Sequence, residues 1–247
     1  MSDPGARPAP GTPQQAAVPE GLVPAVVQLV NTGPVLLGAY TIAELTAVDA
    51  VVDFLEARPS DEVVTEAVRS LAARQLLVPG PGEQVQVRGD LGIAVAFEQR
   101  ARMVLDARVT GTRPGEPWRV LLLPQPEKIC LQYRIDALGI HEIGLYQLDQ
   151  ALDLLADWLP GGRRADPDHA ADPDSLLASA ERSALITTTP YTAQGSAETA
   201  GTSTDLILAR HDDRLHVLTR DPVDRARLIP GPDGDEDIRD MLAGLLT

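Results

Sequence analysis

The sequence predicts an α/β fold of the α+β type, a quasi-two-fold duplicated unit whose central antiparallel sheet is flanked by helices. Two stretches predict it, residues 104–159 and 184–246, because both run through short β-prone segments and close on one amphipathic helix. The closing stripes match position for position: Ala151, Leu154, Leu155, Trp158 and Leu159 in the first, Ile238, Met241, Leu242, Leu245 and Leu246 in the second. Segments 118–123 and 129–135 likewise correspond to 205–209 and 215–219, and recurrence of several elements at a near-constant offset marks duplication. Any two amphipathic helices can be slid into coincidence, so a further element matters. A helix precedes each unit, 90–100 with Leu91, Val95 and Phe97, and 174–182 with Leu176, Leu177 and Ala180.

Taken in order, residues 1–20 are Pro-rich without an apolar run, which predicts a solvated tail and no secretory signal. Residues 22–30 are apolar and β-branched and read as a strand, with turn chemistry at Asn31-Thr32-Gly33-Pro34. A second short apolar run, residues 35–40, follows. Thr41 and Glu44 have capping-box spacing, which predicts a helix over 42–57 with Ile42, Leu45, Val48, Val52 and Leu55 on its buried stripe. Ser60 is the next expected N-cap, with Asp61 and Glu62 in the first turn and a helix running towards Gln75. Residues 76–78 and 84–87 flank Pro79-Gly80-Pro81-Gly82 as two arms of a small hairpin. Strands are expected at 103–111, 118–123, 129–135 and 140–146, joined by short turns and therefore antiparallel.

Residues 161–173, with Asp-Pro steps at Asp166-Pro167 and Asp172-Pro173, read as a linker between an N-terminal half (21–160) and a related C-terminal half (174–247) of one domain. The Ser, Thr, Ala and Gly-rich stretch 194–204 reads as a loop.

The formal net charge of −15 and sequence pI near 4.6 oppose binding to polyanions, so no nucleic-acid partner is expected. No segment reaches the ~20 unbroken apolar residues of a membrane span, so no membrane insertion is expected. The single cysteine, Cys130, lies in an apolar run, which predicts a buried, unreactive thiol and a cytoplasmic setting.

Chemistry-bearing patterns are weak. Asp166 to His169 lacks a second ligand at helical or hairpin spacing, so no metal site is expected there. His211 and His216 flank Asp212-Asp213 and read as turn residues, and His141 begins a strand without an evident partner. Gly80 and Gly82 lack the third glycine and following helix of a phosphate loop. Glu142, Asp149 and Asp153 near a helix start are explained by dipole complementarity without general acid or base work. The reading is therefore a non-enzyme without cofactors. Arg113 and Trp118, in the loop 112–118, are of residue types favoured in binding hot spots and are the candidate partner-binding residues.

The order of elements, with EAVRSLAARQLL from Glu66, DLGIAVAFEQRARMVLDARV from Asp90 and LDQALDLLADWL from Leu148, resembles the EspG family of type VII (ESX) secretion chaperones. That resemblance implies a quasi-two-fold fold with a central antiparallel sheet. It also implies a cytosolic adaptor that covers the hydrophobic helical tip of a PE-PPE-like secretion substrate and keeps it soluble. The segment between the helices at Ile42 and Asp61 is shorter than in that family, which leaves open a chaperone for other secreted helical hairpins. The alternative is a winged-helix transcriptional regulator with a ligand-sensing β domain, since two helices and a hairpin follow one another at 42–87.

Overall fold

A computed structural model describes residues 21–50, 58–80, 85–165, 172–194, 197–231 and 236–246. The expected tail, the distal part of the helix expected at 42–57, the Pro81-Gly82 step and the Asp166 to His169 stretch lie outside them.

The first described element corrects the sequence reading, since Leu22–Val30 forms helix α1 and not a strand. Val26 and Val30 recur at helical spacing and are buried, with Leu22, Val23 and Val27 packed beside them. Burial of that stripe overrides local β-propensity. Strand β1 (Val35–Thr41) leads directly into α2 (Ile42–Ala47), and the Thr41–Glu44 capping box is present in both directions.

Helix α2 is shorter than predicted because the chain reverses at Asp49, whose φ of 55° is left-handed. The Asp49 amide donates to the Thr46 carbonyl and the Ala50 amide to the Leu45 carbonyl, the two bonds of a Schellman stop. Helix α3 (Asp61–Ala73) stops in the same way. Gln75 has φ 60°, and the Gln75 and Leu76 amides close on Ala72 and Leu71. The predicted hairpin is formed by β2 (Leu77–Pro79) and β3 (Val85–Val87).

Helix α4 (Gly89–Glu98) precedes the predicted meander of β4 (Met103–Thr110), β5 (Arg119–Pro124), β6 (Ile129–Ile135) and β7 (Ile140–Gln147), closed by α5 (Leu148–Trp158). All three pairings are antiparallel, as expected for short connections. Of the stripe predicted for α5, Ala151, Leu155 and Leu159 are buried and Trp158 packs partly buried beside them, whereas Leu154 is exposed and Leu152 is buried in its place.

The presumed linker contributes β8 (Arg163–Arg164), which pairs parallel with Arg214 and Leu215. Helix α6 (Pro173–Ser179) is shorter than predicted, because the chain becomes extended at Arg182 and continues as β9 (Arg182–Gln194). Part of the expected loop at 194–204 is strand β10 (Ala197–Ala200), whose backbone groups pair with β9. Then follow β11 (Thr204–His211), β12 (Arg214–Arg220), β13 (Leu228–Pro230) and α7 (Ile238–Gly244).

Among the described residues eleven strands form one sheet, in the order β1-β7-β6-β5-β4-β9-β11-β12-β13, with β10 on β9 and β8 on β12. The meander β4-β5-β6-β7 thus meets the meander β9-β11-β12-β13 through the antiparallel pair β4-β9. One core lies between α1, α2, α3 and α4 and the strands β1, β5, β6 and β7. On the opposite face α5 and α7 pack side by side over β4, β5, β9, β11 and β12. Helix α6 packs on β11 and β13 across from them. No described helix is long and apolar enough to cross a membrane.

Candidate functional site

The alternation along β4 defines the site. Leu105, Ala107 and Val109 enter the core under α5, so Asp106, Arg108 and Thr110 face the other way, with Val104. On β9 the same parity buries Ala184 and Ile186 and leaves Ser183, Leu185, Thr187 and Thr189 half-exposed. Cross-strand register then sets Asp106 opposite Thr187 and Thr187 opposite Asp205, one row across three strands on one face. Helix α4 packs on β1 and β6 and helix α6 on β11 and β13, so the two flank β4 and β9, where the Asp106 and Asp205 side chains are 15% and 10% exposed.

Each carboxylate of the row is held by arginine. Asp106 accepts two hydrogen bonds from Arg119, at 2.9 and 2.8 Å, and two from Arg108, at 3.1 and 3.0 Å. Arg119 is only 2% exposed, so this bidentate pair is a buried charge pair with its geometry satisfied. Asp205 accepts from the Thr187 hydroxyl at 2.7 Å and from Arg220, and its carbonyl takes the Thr219 hydroxyl. Hydroxyl pairs border the row, Thr110 with Ser183 and Thr189 with Ser203, both at 2.8 Å. Asp106 and Asp205 lie two strands apart, about 10 Å by ordinary sheet spacing, too far to share a proton. Each carboxylate of the row is therefore bonded to its own arginine and not to the other carboxylate.

The two residues singled out from the sequence sit at the end of this face in different surroundings. Arg113 is exposed, and its amide donates to Glu116 at 3.1 Å. Hydrogen bonds from Arg182 and then from that amide hold the Glu116 carboxyl below the usual range. Gly111 begins the loop at φ 70°, where a Cβ would lie 2.4 Å from the Glu181 carbonyl, so no other residue fits the turn. Trp118 packs half-buried against the first core, and its indole N–H donates to the Asp136 carbonyl at 3.0 Å. The Arg119 guanidinium lies 6.0 Å from its ring centroid.

Away from this row a concavity of about 700 Å³ opens between α5 and α7 and is lined by Asp153, Asp157, Glu236, Asp237, Arg164 and Met241 among others. At its edge Arg239 bridges Asp149 and Asp153, both at 2.9 Å, which ties α7 to α5. Asp149 and Asp153 thus have a structural partner beyond the helix dipole.

Among the described residues no three His, Cys, Asp or Glu side chains converge as a metal site. Cys130 is buried, and desolvation pushes its thiol pKa up to about 12. His216 lies half-buried within β12 and not in the turn, and burial lowers its pKa, followed by the charges of His211 and Arg214. His141 is buried in β7, where its Nδ1 lies 3.0 Å from the Gly139 carbonyl. No protein-family model matches the chain, and no curated protein matches it.

Proposed function

We propose that this chain is a non-enzymatic cytosolic chaperone or adaptor that binds a type VII secretion substrate, a PE-PPE-like helical protein, and keeps it soluble for export. The observation that supports this reading is the central face of the sheet, where Asp106, Thr187 and Asp205 with the partly exposed Arg108 and Arg220 form an ordered polar platform. Non-obligate protein interfaces are about as polar as the rest of a protein surface, and arginine is enriched in them. The resemblance to EspG chaperones supplies the substrate class, and the platform is where polar side chains beside the substrate's helical tip would dock.

The test is purification of the tagged chain from its native host, with mass spectrometry of what is retained. A helical secretion substrate in stoichiometric amount, lost when Arg108 and Arg220 are both changed to Glu, is the expected result. Retention of no such protein, or retention indifferent to those substitutions, rejects the reading. The winged-helix regulator remains the second reading, favoured by the order α2, α3, β2, β3. The exposed residues of α3 include Asp61, Glu62 and Glu66 against Arg69, the wrong balance for phosphate contacts. Retardation of genomic fragments in a low-salt gel shift would restore it.

A further inference from the structure

We draw no further inference here: the strongest candidate, the acid-rimmed concavity between α5 and α7, has Asp153 already bonded to Arg239 and Asp237 already capping α7, and nothing in the structure shows what ligand its remaining acids, Asp157 and Glu236, would take.

Discussion

At the scale of single residues, two buried groups have measurable consequences. Burial lowers the His141 pKa, with a smaller push in the same direction from Arg119, against the Gly139 carbonyl and Asp136. The neutral ring is therefore favoured in the folded chain, while the unfolded chain titrates near 6.5. As pH falls below about 6.5 the unfolded state binds the proton first, so stability drops through that window and levels off below the folded pKa. Urea unfolding at neutral pH and near pH 5 should show a larger acid loss for the parent than for His141→Gln; equal losses would assign the acid sensitivity to other groups. The Cys130 thiol, raised to about 12 and fully buried, should not react with a disulfide reagent in the native protein at pH 8. One equivalent should react after denaturation, and fast native labelling would contradict its burial.

At the scale of elements, the ends of α2 and α3 are set by side chains and left-handed stops. Glu44 is buried and accepts from the Thr41 amide at 3.0 Å, from Ser70 at 3.0 Å and from Arg74 at 2.8 Å, so one carboxylate caps α2 and fastens α3 to it. Glu44→Ala removes the cap and the link together and should cost about 2 kcal/mol in denaturant unfolding. Gln75 occupies a left-handed position that only glycine enters without a Cβ penalty, so Gln75→Gly should stabilise by about 0.5–1 kcal/mol. These ends also show what the sequence could display. The capping box at Thr41, the alternation in β4 and β6 and the continuous apolar run of β5 are local patterns, and all were legible. Helix α1 was not, because an apolar run rich in valine satisfies either period until a core selects one face. Strands β8, β10 and β13 are two to four residues long, and their pairing is dictated by neighbours distant in sequence. The candidate face was half visible. Asp106, Arg108 and Thr110 alternate with apolar residues within β4, but their alignment with Thr187 and Asp205 depends on strand register, which no local pattern encodes. Arg113 and Trp118 stood out by residue type alone, a criterion blind to the hydrogen bond that fixes the Trp118 indole.

At the scale of the whole molecule, the pairing of β4 with β9 decides whether the two halves can live apart. Residues 103–110 and 183–190 pair along the full length of β4, and Ala184 and Ile186 share one core with Leu105, Ala107 and the closing helices α5 and α7. A C-terminal fragment, residues 174–247, would expose the β9 edge and lose the α5 surface against which α7 packs. It should therefore lack cooperative structure by circular dichroism alone, whatever its relation to the first half. Mixing it with residues 1–160 should restore the β signal, because the missing contacts are intermolecular replacements of native ones. A fragment that folds cooperatively by itself would mean that the β4-β9 pair joins two self-sufficient modules. Strand β4 of that seam also carries Asp106, which holds the buried Arg119 of β5, and Asp106→Ala leaves Arg119 without its bidentate partner. Loss of one member of a buried ion pair costs about 3–5 kcal/mol, so this variant should unfold at markedly lower denaturant. If the two halves form one cooperative unit, hydrogen exchange in β12, remote from the substitution, should quicken together with exchange in β5. Quickening confined to β5 would locate a boundary in stability at the seam itself.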